Sequence, residues 1–449
     1  MKFYDRETEL QTLDAMQRLS QSKGARMTVL YGRRRIGKTV LALHSAQQSD
    51  DPHVYLFVSR KNEALLCQDA KTEIERGLGT TVHGDFTRFR DVLAWLMDYA
   101  SRTPLTLIID EFQEFSAINP AIFSELQEIW DRNKSGSRLH LIISGSVYRL
   151  MKSIFEDARE PLFGRADERI HLQPFRTGTL TEIMRDHHPG FTPQDLLCLY
   201  AVTGGIPKYV EIMADKGALT CAAMRDELFR PDSWWLDEGA NLLIGEFGRE
   251  HTTYFSILSL VASGKTSRTE IESVLEKNIG GYLDRLIHDF QILTAVRPLL
   301  SKPAGKIQKY EISDLFLRFW FRFVHKHHSA VESGNMEWLK SVFDRDFSTY
   351  AGRVLELWFR DALRSTGRYT RIGTYWDRGG NEIDLVAMDE AGNELLFAEV
   401  KMNPDKASRS LLEQKAAHMM KKTGITSGRS WDIRYRVLSP DDMLATTLN

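Results

Sequence analysis

Short apolar, β-branched runs at 27–31, 53–58, 105–109 and 139–143 are separated by stretches of helical period, 38–45 and 86–97 among them. Side chains on a strand alternate faces and those on a helix repeat every 3.6 residues, so this alternation predicts strand–helix units. Strands joined through helices pair in parallel, and nearly continuous apolar strands imply a sheet covered on both faces. From 176 to 245 the pattern is helical, with no clear strand. Residues 246–325 then predict a helix at 254–262, a second opened by the capping box Ser267-Arg268-Thr269-Glu270, and a third at 281–290. Strands at 293–296 and 309–312 flank a Pro/Gly loop, and this order suggests a winged helix-turn-helix. The polar stretch 325–335 reads as a linker, after which 338–449 predicts helix, hairpin, helix and a last strand near 431–437. No internal repeat or low-complexity tract interrupts this organisation.

Length fits that reading, since 449 residues is about three times the usual domain. Charge narrows it. Lys plus Arg is 59 against 61 Asp plus Glu, which excludes a wholly basic nucleic-acid binder while leaving room for a local basic face. A 42% hydrophobic content excludes disorder of the whole chain. The three cysteines, Cys67, Cys198 and Cys221, fall in no paired spacing, which argues against a disulfide framework or a cysteine zinc site. No apolar run approaches the roughly 18 residues needed to span a bilayer, and the first residues carry no apolar signal core. The expectation is a soluble, cytoplasmic, multidomain protein.

The strongest local chemistry is Gly32-Arg33-Arg34-Arg35-Ile36-Gly37-Lys38-Thr39, followed by Val40. It matches G-x-x-x-x-G-K-[ST] between a predicted strand and a predicted helix, the context a phosphate loop requires. Glycines let backbone N–H groups curl around phosphate oxygens, and the helix N-terminus adds positive potential. Lys38 can then reach the β- and γ-phosphates, and the Thr39 hydroxyl can ligate Mg²⁺. Arg33, Arg34 and Arg35 either contact phosphate or DNA or pair with neighbouring acids. A second apolar strand ends in Asp110-Glu111, as a Walker B strand does. Asp110 would hold magnesium and Glu111 would act as general base toward water. A third strand runs into Ser144-Gly145-Ser146, where either serine is a γ-phosphate sensor or the strand simply turns.

Residues 1–325 resemble the archaeal-type ATPase family within the AAA+/signal-transduction ATPase group. The resemblance rests on Phe3-Tyr4-Asp5-Arg6-Glu7, YGRRRIGKT at 31–39, LIIDEFQ at 107–113, LIISGS at 141–146, PLFGR at 161–165, GGIPKY at 204–209 and YEISDLFLRFWFRF at 310–323. It implies ATP as the ligand, an entry segment that places Arg6 near the adenine, and a helical lid whose Gly204-Gly205-x-Pro207 turn closes over the nucleotide. Arg165 is, on the same resemblance, either an arginine finger or sensor or a plain surface ion pair.

A second constellation lies in Glu382-Ile383-Asp384 and Glu399-Val400-Lys401. Glu399 and Lys401 share a strand face, and a hairpin closing around Ala391-Gly392 places Asp384 opposite Glu399. With the upstream helix residue Glu356, residues 338–449 resemble the restriction-endonuclease-like, PD-(D/E)xK superfamily, although Ile383 stands where its named pattern has proline. The resemblance implies that Asp384, Glu399 and the Val400 carbonyl bind Mg²⁺ (or Mn²⁺), that Lys401 orients the attacking water or stabilises charge, and that Glu356 supports a second metal or the scaffold.

In the winged-helix segment, Arg285, Lys302, Lys306 and Lys309 are candidates for DNA contact. The aromatics Phe316, Phe319, Trp320 and Phe323 have helical spacing and read as core, as do Trp234 and Trp235; His325, His327 and His328 have no ligand partner at metal spacing. The predicted fold is thus α/β, with a P-loop core at 1–175, a helical lid at 176–245, a winged helix-turn-helix with connecting helix at 246–325 and a restriction-endonuclease-like domain at 338–449. The predicted activity is a Mg²⁺-dependent ATPase, acting as a homo-oligomer on DNA, that controls a metal-dependent deoxyribonuclease. The alternative is a nucleotide-dependent switch whose C-terminal domain binds nucleic acid or protein without cutting.

Overall fold

A computed structural model describes residues 1–247, 251–301 and 307–445. The chain forms two compact units, Tyr4–Gln173 and a second made of Met1–Phe3 with Pro174–Asn449.

The first unit holds five strands, β1 (Arg26–Tyr31), β2 (His53–Phe57), β3 (Leu105–Asp110), β4 (Leu139–Gly145) and β5 (Glu168–His171). They pair in parallel in the order β2-β3-β4-β1-β5. Every residue of β3 and β4 is buried, as expected of central strands covered by helices on both faces. Helices Glu63–Leu78, Phe89–Arg102 and Ile122–Asn133 supply the apolar stripes that complete the core, with Leu96, Ile129 and Trp130 among them.

The predicted helix at 86–97 begins three residues later, at Phe89. The Glu63 carboxylate accepts the Phe89 amide at 2.8 Å and holds that end, while Arg88 stays extended. β5 escapes the apolar pattern because it is a four-residue edge strand, Glu-Arg-Ile-His. It is fixed by backbone pairing to β1 rather than by its side chains.

In the second unit, Thr177–His187, Pro193–Thr203, Pro207–Asp215, Cys221–Leu228 and Trp235–Phe247 are helical, and no strand falls among the described residues of this stretch. Helices His251–Ala262, Arg268–Leu275 and Gly280–His288 follow, the second opened by the expected reciprocal cap between Ser267 and Glu270. Strands β6 (Leu293–Val296) and β7 (Lys309–Ile312) pair antiparallel. Lys302 and Lys306 lie outside the described residues. Lys309 does not extend freely from the ribbon: its ammonium sits 3.3 Å from the Glu382 carboxylate and 4.7 Å from the Trp376 ring centroid.

The stretch 325–335 is exposed for the most part, as expected, but it is not irregular. It forms the short turn of helix His325–His327 and the helix His328–Glu332. The His325 ring stacks on Trp320 with centroids 5.2 Å apart, and His327 meets Trp338 edge-on at 5.0 Å. Imidazoles read as polar in the sequence serve here as flat packing surfaces. Phe316, Phe319, Trp320 and Phe323 are buried, as their spacing predicts.

The 30-residue helix Met336–Ser365 then leads to β8 (Arg371–Trp376), β9 (Glu382–Asp389), β10 (Glu394–Val400), the helix Arg409–Thr423 and β11 (Asp432–Leu438). The sheet order is β11-β10-β9-β8, with β8–β9 and β9–β10 antiparallel and β10–β11 parallel. Leu412, Ala416 and Met419 of the shorter helix pack on Val386, Met388, Leu395 and Phe397. β8 was not expected, because its register shift between Gly373 and Tyr375 breaks the period-2 signal. The long helix is continuous past 338, and Tyr350 Oη donates to the Ala201 and Leu315 carbonyls at 3.2 and 3.3 Å.

Candidate functional sites

At the carboxyl end of β1 the chain enters the loop 32–37 and then the helix Lys38–Gln47. The loop turns on left-handed residues: Arg35 has φ 68° and Gly37, the N-cap, φ 90°. Gly32 is required for space, since a Cβ there would lie 2.8 Å from the Leu172 carbonyl oxygen. The Lys38 side chain is buried and its ammonium donates to the Gly32 and Arg33 carbonyls at 2.9 and 3.1 Å, so it lies within the loop. Ile36 is buried beneath, whereas Arg34, Arg35 and Val40 are exposed.

Three side chains converge on Asp110, one from the helix Lys38–Gln47 and one each from β2 and β4. Thr39 Oγ1 donates to its Oδ2 at 2.5 Å, Tyr55 Oη donates to the same oxygen at 3.1 Å, and Ser144 Oγ donates to Oδ1. Burial, reinforced by the Asp110 charge, raises the Tyr55 phenol well above its usual range, so it stays a donor. Glu111 follows in a left-handed conformation, φ 53°, and its Oε2 accepts Ser146 Oγ at 2.7 Å. The two serines thus divide between the two acids, Ser144 on Asp110 and Ser146 on Glu111. Gln113 adds a second donor to Glu111 Oε2. Its contribution, like that of Tyr55, is not separable in the sequence from core packing.

The hydroxyl–carboxylate pair Thr39–Asp110 is a hard oxygen donor set of the kind Mg²⁺ prefers, and the loop before a helix N-terminus suits a phosphate chain. These residues fit a Mg²⁺–nucleotide, with Lys38, Thr39 and Asp110 as the groups that would hold it.

Arg6 is buried with φ 81°, and its guanidinium donates to the Gln173 carbonyl at 2.7 Å and pairs with Glu9. Arg165 forms a two-pronged pair with Asp131, at 3.1 and 2.7 Å, and donates to the Pro161 and Phe163 carbonyls. Among the described residues none of its hydrogen bonds reaches Asp110 or Glu111. In the other unit, Gly204 ends the helix Pro193–Thr203 with φ 61°, and Pro207 opens the next helix at its first turn. Gly205, φ 71°, lies so close to Phe175 that a Cβ would come within 2.7 Å of its carbonyl oxygen.

The hairpin register of the C-terminal sheet pairs Ala398 with Leu385, so the next step sets Glu399 across from Asp384. Lys401 joins them: its ammonium lies 2.9 Å from Asp384 Oδ2 and 3.2 Å from Glu399 Oε1. The Val400 amide also donates to Asp384 Oδ2, at 2.9 Å. Burial works to lower the Lys401 ammonium, but the two carboxylates outweigh it and raise it. Glu356, on the long helix, has its carboxyl pushed up to about 8, first by burial and then by the charge of Asp384. Lys415, from the helix Arg409–Thr423, is a member the sequence did not disclose; its ammonium lies 3.3 Å from Glu399 Oε2. Among the described residues no group of three or more His, Cys, Asp or Glu side chains is arranged to hold a metal ion. Among them too, no helix is long and apolar enough to cross a membrane.

A parallel sheet, a glycine loop opening a helix, and Thr39 meeting a strand-end aspartate define a P-loop ATPase. Residues 3–213 match the family described as "ATPase domain predominantly from Archaea", and residues 320–418 match one described as "Archaea bacterial proteins of unknown function". An uncharacterized protein of Methanocaldococcus jannaschii is 30% identical over 412 residues, covering 89% of this chain and 87% of its own. The Walker-type ATPase of Pyrococcus abyssi is similar in structure, with TM-score 0.53 at 18% identity over 71% of this chain and 96% of that one. The ORC2 protein of Aeropyrum pernix, in ADPNP–ADP complexes, follows at TM-score 0.49 and 17% identity, over 74% and 95%. This chain belongs to the archaeal-type P-loop ATPase family, and carries that family's ATPase domain ahead of the domain of unknown function.

Proposed function

We infer that the protein hydrolyses ATP with Mg²⁺ and that its nucleotide cycle controls a C-terminal domain that cleaves DNA. In this reading Lys38 and the loop hold the phosphates, Thr39 and Asp110 hold the metal, and Glu111 takes a proton from water. Arg6 and Pro207 belong with nucleotide recognition, on the resemblance alone. Segments 176–245 and 246–325 are the lid and a winged helix, and 338–449 is the restriction-endonuclease-like domain.

The observation that carries the nuclease half is the convergence of Asp384, Glu399 and Lys401 from adjacent strands onto one patch. Two carboxylates offer hard oxygens for Mg²⁺ or Mn²⁺, to which the Val400 carbonyl would add a third; a bound ion would make its water a stronger acid. Lys401 is placed to orient that water or to meet charge on the phosphate, with Glu356 behind Asp384. Supercoiled and linear DNA, incubated with protein and Mg²⁺ or Mn²⁺, tests this. Strand breaks that vanish with chelator and in Lys401→Ala support the nuclease, and intact DNA under every condition refutes it.

One observation favours a second reading. Lys401 and Lys415 already pair with the two carboxylates, and no third metal-binding side chain completes the group among the described residues. The C-terminal domain would then bind nucleic acid or protein without cutting, and ATP would govern that binding. Retained DNA binding without breaks selects this reading.

A further inference from the structure

Both hydrogen bonds that Glu111 receives through its side chain fall on one oxygen. Ser146 Oγ donates to Oε2 at 2.7 Å, and the Gln113 amide nitrogen donates to the same atom. Among the described residues no hydrogen bond reaches Oε1.

Gln113 is 1% exposed, and its own Oε1 is buried with no hydrogen-bond partner among the described residues. A buried acceptor left unpaired loses its hydration and gains no bond in return, so an amide is a poor choice for packing alone. Methionine would fill the same space without that loss. The amide oxygen lies where a glycine leaves room for it and for Met151. Gly145, at the end of β4, has no side chain, and a Cβ there would fall 2.5 Å from Gln113 Oε1 and would overlap Met151.

We propose that Gln113 is a positioning residue for ATP hydrolysis: with Ser146 it anchors Glu111 through Oε2 and leaves Oε1 as the basic oxygen presented to water. The water oxygen bonds to the γ-phosphorus, its proton passes to Glu111 Oε1, and the bond from the γ-phosphorus to the bridging oxygen breaks with its electron pair leaving on ADP. Gln113 and Ser146 transfer nothing. They remove the rotamer freedom that would let the carboxylate turn away. This rests on the hydrolytic reading of the first unit.

The test compares Gln113→Met and Ser146→Ala, each made in the full-length wild type and in Glu111→Gln. It reads turnover by phosphate release, nucleotide affinity with a fluorescent ATP analogue, and thermal midpoint. In the wild-type background each substitution lowers kcat about tenfold, with affinity within twofold and the Gln113→Met midpoint unchanged or raised. In Glu111→Gln, where the base is absent, Gln113→Met changes turnover by less than twofold. Unchanged or increased kcat, the same fold-loss in both backgrounds, or a parallel loss of affinity overturns the role of Gln113. A wild type that binds the analogue and releases no phosphate instead removes hydrolysis itself, and the role of Gln113 with it.

Discussion

Thr39 and Asp110 are 71 residues apart in the chain and 2.5 Å apart in space. The parallel sheet makes this meeting possible, because β4 separates β1 from β3 by a single strand and all three end on the same side. The switch from helix-forming loop to strand end therefore brings one hydroxyl and one carboxylate together at the place a Mg²⁺–nucleotide would occupy.

Removing the hydroxyl should weaken the metal-dependent part of nucleotide binding. Thr39→Ala is expected to bind ATP about tenfold more weakly with Mg²⁺ present, equivalent to about 1.4 kcal/mol. In EDTA, variant and wild type should bind alike. Fluorescence titration in the two conditions checks this, and an equal loss in both would place Thr39 outside metal binding.

The same sheet contains an acid-sensitive group. His140 is fully buried in β4 with its Nε2 3.0 Å from Thr28 Oγ1, and burial lowers its imidazole to about 4. An unfolded chain protonates this residue near pH 6.5, the folded one only near 4. The unfolded state thus binds the extra proton between those values, and stability falls as pH drops through that window. His140 alone contributes up to about 3 kcal/mol to that loss. Denaturant melts of wild type and His140→Gln from pH 7 to 4.5 should show a shallower decline in the variant; parallel curves would assign the acid sensitivity elsewhere.

Gly205→Ala should destabilise the second unit. The site combines φ 71° with a carbonyl oxygen 2.7 Å from the position of the new methyl, and such strain costs on the order of 1–3 kcal/mol. Chemical denaturation gives the number directly, and a change below about 0.5 kcal/mol would mean that the turn relaxes freely.

Much of this architecture was legible from the chain because it depends on local spacing. Gly32 through Thr39, and Asp110 at the end of an apolar strand, are fixed by short-range pattern, and the β9–β10 register follows from where Ala391 and Gly392 sit. What escaped depends on tertiary contact. β5 has almost no apolar signal and exists because β1 has a free edge for it. Lys415 reaches Glu399 from a different element, and Gln113 turns back onto Glu111 across a tight turn, neither of which spacing discloses. His325 misled for the opposite reason: a residue counted as polar packs by its ring face on Trp320.

In the proposed function, nucleotide in the first unit governs what the C-terminal cluster does to DNA. DNA cleavage measured with Mg²⁺, with and without ATP, in wild type, Lys38→Ala and Lys401→Ala tests it most directly. ATP-dependent breaks are expected in the wild type, none in Lys401→Ala, and loss of the ATP response in Lys38→Ala while its Asp384–Glu399–Lys401 cluster is intact. Cleavage that is indifferent to ATP and to Lys38→Ala would contradict nucleotide control, and the absence of any cleavage beside normal ATP hydrolysis would contradict the nuclease.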